Sequence, residues 1–401
     1  MDFDTVINRR GTGSIKWDSL HEAPGKPDVI PLWVADMDFA SPPEMVTKIQ
    51  ERAAHPIYGY MADPPGFFEA LRDWYRGQYG VDLEPESLLS GPGTVPSMGI
   101  LVRTFSEPGD SILVPTPVYY PFYTAVESNG RRILEVPLTL NGNGRLEFSA
   151  DRVEAVLSGA REKGIRVPML MFCSPHNPGG TVWKKDELES ILALAKKYDM
   201  VAACDEIHGD FVHTPGGFVS MADFPEFADR VVVFSGANKT FNLGGLHVSH
   251  FVARDENLRE RIREGLKAAG HSVANIFSVI AVENAYRYGA PWLAELKPYL
   301  LGNIDAAVEK INREIPGVRA YRPEGTYLIW ADASELVSAA GYAGDMELCA
   351  ALEEEGRVKF TQGSLFGAGG RGFIRINTAC PRSLLMEGLD RLNAWASARM
   401  G

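Results

Sequence analysis

The chain predicts an α/β protein, with a three-layer α/β/α major domain around a mostly parallel sheet and a smaller α+β domain after it. Three observations carry this expectation. Between about residues 90 and 255, short and nearly continuous apolar runs alternate with one-face helical patterns, as strands covered on both sides do. Beyond about residue 288 the pattern becomes a long amphipathic segment followed by mixed strand and helix signals. The first 45 residues are rich in Pro and Asp and read as an extended arm. The expected division is therefore an arm over residues 1–45 packing with the small domain, a large domain over 46–288 and a small domain over 289–401.

The elements follow in order. Gly91-Pro92-Gly93-Thr94 precedes an apolar helical stretch, Val95 to Phe105, so free amides and the Thr94 hydroxyl would face outward at a helix amino end, where phosphate binds. Taken alone, such a run is more often a Gly-Pro turn. Strands are expected at Ser111 to Val114, Val167 to Phe172, Val201 to Cys204, Val231 to Phe234 and Val248 to Val252. Leu188, Ile191, Leu192 and Ala195 recur on one face of a helix between the second and third, making a strand-helix-strand unit. The second half adds a helix over Trp292 to Arg313, a strand over Gly325 to Ala331, a helix over Asp345 to Glu354, a strand over Phe373 to Asn377 and a terminal helix.

Composition excludes several classes. The 401 residues are 45% hydrophobic and carry a net charge of −12, which offers no general basic surface for nucleic acid or an anionic membrane. The amino-terminal residues lack a signal-peptide pattern and no apolar run is long enough to span a bilayer, which predicts a soluble cytoplasmic protein. Four scattered cysteines form no C-x-x-C pair, and His247/His250 and Asp205/His208 lack the company of a metal site, so no metal is expected. A literal G-x-G-x-x-G at Gly367, Gly369 and Gly372 leads into a strand and is no dinucleotide fingerprint.

The chemistry lies after the strand ends. Asn177 in Ser-Pro-His-Asn-Pro-Gly-Gly, Asp205 in Cys-Asp-Glu-Ile-His and Lys239 in Ser-Gly-Ala-Asn-Lys-Thr-Phe-Asn each follow a candidate strand, where open α/β sheets bind ligands. Pyridoxal phosphate (PLP) needs an amine for a Schiff base, an acid for the pyridine nitrogen and a donor for the phenolate oxygen. Each residue alone is commonplace; the three in this order are not.

These motifs resemble the class I/II aminotransferase superfamily of fold-type I PLP enzymes over nearly the whole chain. The resemblance implies that Lys239 is the Schiff-base lysine, Asp205 the partner of the ring nitrogen and Asn177 the partner of the phenolate oxygen. It implies that Gly93 and Thr94 cradle the phosphate, that Tyr119 stacks on the ring and that Arg375 grips the α-carboxylate of a small amino-acid substrate. Tyr60 would reach the partner's cofactor across a homodimer interface, which shares the active sites between subunits.

Phe3-Asp4 with Arg9, Ser14 to Asp18, Leu32 to Phe39, Asp205 to His208 and Lys239 to Leu243 are similar to the MalY/PatB branch, whose members are cystathionine β-lyases. His208 stands where aminotransferases commonly carry a tyrosine, and His247 where they carry a phosphate-gripping arginine. Gly236 takes the usual serine position, with Ser235 one residue earlier as the candidate phosphate ligand. The leading expectation is a carbon–sulfur β-lyase releasing thiol, pyruvate and ammonia. An aminotransferase is the alternative, and a regulatory binding protein on the same scaffold is the reading from another class.

Overall fold

A computed structural model describes residues 1–20, 27–61, 65–271 and 274–400. Seven strands build the central sheet: β1 (Leu88–Gly91), β2 (Ser111–Thr116), β3 (Arg132–Pro137), β4 (Met169–Cys173), β5 (Val201–Asp205), β6 (Val231–Ser235) and β7 (Ser249–Val252). Their order across the sheet is β1-β7-β6-β5-β4-β2-β3. Every pairing from β6 to β3 is parallel, while β7 runs antiparallel to both neighbours. The sheet is thus mostly parallel, with one reversed strand near an edge.

Side chains one apart on a strand point to opposite faces, and this splits the apolar runs between two cores. Ile112, Val114, Met169, Met171, Ala203, Val232 and Phe234 pack with helices α1 (Thr94–Phe105) and α2 (Glu256–Ala268). Leu113, Leu170, Phe172, Ala202, Cys204, Val231 and Val233 pack on the other face, which α3 (Lys185–Lys197) covers with Leu188, Ile191, Leu192 and Ala195. Three layers result.

The strands that the periodicity misses are explained by their position. β1 has four residues and ends in Ser-Gly, and β3 is an edge strand whose charged Arg132 and Glu135 break the apolar run. In the second half α4 (Ala290–Glu314) leads to an antiparallel sheet of β8 (Arg319–Ala320), β9 (Leu328–Asp332), β10 (Thr361–Gln362) and β11 (Phe373–Asn377) in the order β8-β9-β11-β10. The strand expected from Gly325 begins only at Leu328, because Thr326 turns the backbone at φ 67° and its Oγ1 accepts the Leu328 amide at 3.1 Å. The G-x-G-x-x-G run forms one short turn, Ala368–Gly370, before β11, and Gly370 approaches Gly363 of the preceding turn so closely that a side chain on either would strike the other's carbonyl.

The amino-terminal arm lies against both halves. Ile30–Pro31 pairs in parallel with Val358–Lys359, and Phe3 packs edge-on against Phe39 and Trp292. Among the described residues no helix is long and apolar enough to cross a membrane.

Candidate active site

The carboxyl ends of β4, β5 and β6 open on one cavity of about 350 Å³. Asn177 and Lys239 lie four residues beyond β4 and β6, and Asp205 is the last residue of β5. All three line the cavity with Gly93, Thr94, Tyr119, His208 and His247. Lys239 sits in a short helix, Ala237–Thr240, that is pinned from behind. Thr240 Oγ1 donates to buried Asp210 at 2.5 Å, and Asp210 also accepts from Trp74 Nε1 at 3.0 Å and Tyr79 Oη at 2.8 Å.

Lys239 Nζ donates to the Ala35 carbonyl at 2.5 Å, an acceptor that also takes Tyr327 Oη at 3.0 Å. Burial lowers the Lys239 ammonium to about 8, opposed by Asp36 and Asp205 and helped by Arg375 and Lys16. The same burial raises the Asp205 carboxyl to about 7, against the Ile207 amide at 3.1 Å and the charge of Lys239. An amine and an acid that both titrate near neutrality therefore share one enclosed space.

His208 stands edge-on to Tyr327, and burial lowers its pKa well below the usual imidazole value. Neither ring nitrogen has a hydrogen-bond partner, although the residue is buried. A structural histidine would have used one of them on a carbonyl. Tyr119, not its exposed neighbour Tyr120, faces the cavity, and its amide donates to the Asn177 carbonyl at 3.0 Å.

Arg375, on β11, is held by three acceptors. Nη1 donates to Asn177 Oδ1 at 3.0 Å, and Nη2 to the Trp33 carbonyl at 3.0 Å and more weakly to Thr361 Oγ1 at 3.4 Å. Its Nε is buried without a partner and, among the described residues, no carboxylate pairs with it, while burial lowers its pKa. A buried guanidinium with a spare donor is prepared to receive an anion.

The remaining candidates are less central. Gly93 starts α1 at φ 106°, a backbone that glycine adopts without strain, but its amide already donates to Ser249 Oγ at 3.1 Å. Ser249 reaches it because β7 lies directly beside β1. Ser235 ends β6, buried and in register with His250, outside the cavity wall. Tyr60 is fully exposed at 105%, on a segment where Ile57 and Tyr58 are exposed too. The four cysteines are free and buried, and Cys173 Sγ points to the Pro175 carbonyl at 3.3 Å.

Sequence reasoning misses the acceptors on the arm. The Ala35 and Trp33 carbonyls hold Lys239 and Arg375, and backbone groups carry no residue signature. The only sequence signal was the Leu32 to Phe39 motif itself.

A strand-end cavity of this kind in a three-layer sheet is the architecture of fold-type I PLP enzymes. Residues 27–392 match the profile of aminotransferase class I and II, and the chain belongs to that family. It is 37% identical over 399 residues to the cystathionine β-lyase PatB of Bacillus subtilis (strain 168), covering 98% of this chain and 99% of that one. Among solved structures it is similar to cystalysin from Treponema denticola, which contains PLP, with a TM-score of 0.90 or better: 0.91 at 30% identity, covering 100% and 99% of the two chains. The PLP-bound C-S lyase from Staphylococcus hominis gives a TM-score of 0.90 at 28% identity, covering 98% and 97%. The cofactor is PLP, and the residues present fit it: an amine, an acid and an unpaired buried imidazole converge on a cavity that a helix amino end closes.

Proposed function

We propose that the protein is a PLP-dependent carbon–sulfur β-lyase that cleaves cystathionine or a related cysteine S-conjugate to thiol, pyruvate and ammonia. The observation that supports it most is the convergence of Lys239, Asp205 and Asn177 on one cavity, with Arg375 bonded to Asn177 behind its wall, in a chain similar over its length to a cystathionine β-lyase. Bound PLP supplies a conjugated ring that takes up the electron pair left when the substrate loses its α-proton.

The chain's own groups do the rest. Lys239 would hold the cofactor, and its free amine would take the substrate's α-proton. Asp205, as a carboxylate, would favour the protonated form of the ring nitrogen. Asn177 and neutral His208 would donate to the phenolate side, Tyr119 would stack on the ring, and Thr94 with the start of α1 would hold the phosphate, while Ser235 lies outside the cavity wall. Arg375 binds the α-carboxylate with a planar pair of donors and so orients the bond to be broken. The sulfur substituent would leave Cβ with the bonding electron pair and take up, as thiol, the proton that Lys239 removed, and water would release pyruvate and ammonia.

The exposed Ile57, Tyr58 and Tyr60 favour a homodimer in which a second copy covers this segment and Tyr60 reaches the partner's phosphate site. Four free cysteines and a net charge of −12 suit a reducing, cytoplasmic setting and a small-molecule substrate.

Incubating holoenzyme with cystathionine alone tests the reading. Pyruvate and thiol should accumulate over many turnovers. Turnover that needs an added 2-oxo acid would sink the lyase and leave an aminotransferase. Sedimentation should show a dimer, and Tyr60→Phe should weaken PLP retention without changing the sedimentation coefficient.

A further inference from the structure

The arm motifs have no part in the chemistry above, yet the structure gathers them into one cluster. Asp38 is buried and accepts from three donors: Lys16 Nζ at 2.7 Å, Arg9 Nη1 at 2.7 Å and Trp17 Nε1 at 2.9 Å. Arg9 Nη2 also meets Asp36 Oδ2 at 2.8 Å, and Lys16 Nζ meets the Asp36 carbonyl at 3.0 Å. The Lys16 side chain is 0% exposed. Two cations and two carboxylates thus balance, with Lys16 and Asp38 buried and Arg9 and Asp36 partly exposed at the cluster's edge.

This cluster sits on the strand of chain that holds both working residues. Trp33 and Ala35 provide the carbonyls for Arg375 and Lys239, and Asp36 and Asp38 follow within three residues of Ala35. The segment is stitched to the large-domain side by Asn242, which accepts the Met37 amide at 3.0 Å and donates to the Met37 carbonyl at 2.8 Å. It is stitched to the small-domain side by Asn377 Nδ2, which donates to the Val34 carbonyl at 2.6 Å and the Asp36 carbonyl at 2.7 Å. A buried ion pair breaks expensively when one partner is lost, so it fixes geometry more firmly than a surface pair.

We propose that Lys16 and Asp38 are positioning residues: their buried ion cluster sets the Ala35 and Trp33 carbonyls, and through them the places of Lys239 and Arg375 relative to each other. This rests on the reading of Lys239 as the base and Arg375 as the carboxylate binder. The cluster also carries charge toward Lys239, whose surroundings include Asp36, Asp205, Arg375, Lys16 and neutral His208. Removing one member leaves the cluster with a net charge of known sign.

The two single variants separate positioning from general loosening. In PLP-loaded Lys16→Met the cluster is left negative, which favours a protonated nitrogen at Lys239, so the pH midpoint of the cofactor's visible absorbance should rise. In Asp38→Asn it is left positive, and the midpoint should fall. Both should lower kcat/KM for cystathionine roughly tenfold, the size of one weakened charge-assisted hydrogen bond, at unchanged PLP content. Midpoints that stay put, or that move together, overturn the proposal, as does an unchanged kcat/KM.

If either variant fails to fold, Trp17→Phe removes one donor to Asp38 while keeping an aromatic ring. It should lower kcat/KM about two- to threefold, less than a full charge-assisted bond is worth; wild-type values there overturn the proposal. Arg375→Lys serves as the control. If it leaves kcat/KM unchanged, the functional reading fails; if it alone lowers kcat/KM while the arm variants match wild type, only the positioning role fails.

Discussion

The two walls of the active site are built on different principles. The β4–β5–β6 wall presents Asn177, Asp205 and Lys239 directly from strand ends, so a few residues of local chain place each one. The opposite wall depends on the arm: Arg375 reaches the Trp33 carbonyl across 342 positions of sequence, and Lys239 reaches Ala35 across 204. The first wall is as rigid as the sheet, whereas the second depends on a buried ion cluster remaining intact. Chemistry is carried by the sheet and alignment by the arm.

The contrast can be broken from the sheet side with the largest effect. Lys239→Ala should lower turnover by roughly 10³-fold or more, since it removes both the proposed cofactor anchor and the proposed base, and steady-state pyruvate release with added PLP measures it. Asp205→Asn follows, with a loss of roughly 10²-fold or more and PLP still bound, as judged by retained visible absorbance and slow turnover. On the alignment wall Arg375→Lys keeps the charge but loses the planar pair of donors; kcat/KM should fall by about 1.5–3 kcal/mol, chiefly through KM.

A gentler probe is pH. The Lys239 ammonium is lowered to about 8, so its free amine is the majority form above that pH and disappears as pH falls through it. Single-turnover α-proton removal, followed by exchange of solvent deuterium into substrate, should weaken on the acid side of that range. His208 stays neutral across it, and His208→Asn should leave the acid limb in place. The smallest expected effect is on stability. Thr240→Val strips one donor from buried Asp210, which keeps Trp74 and Tyr79, and should cost about 1–2 kcal/mol in the denaturant midpoint at constant m.

Much of the sheet wall was legible before any coordinates. Val231–Ser235 and Met169–Cys173 are continuous apolar runs because they are buried on both faces, and such runs announce themselves. Short or edge strands such as Leu88–Gly91 and Arg132–Pro137 do not, since partial exposure admits the polar residues that erase the pattern. The Gly-Pro-Gly-Thr run predicts a helix start and Gly93 caps that helix, while its bond to Ser249 on a distant strand has no local signal. His208 was visible as a residue, while the absence of any partner on either ring nitrogen was not.

By itself the sequence determined which chemical groups the site has and in what order they leave the sheet, because side-chain identity and the two periodicities are local properties. Tertiary structure alone decided that the arm's carbonyls hold Lys239 and Arg375, that Asp38 collects Lys16, Arg9 and Trp17, and that burial draws Lys239 and Asp205 toward neutral pH. Those outcomes depend on which distant segments exclude water together, and that is a property of the packed chain.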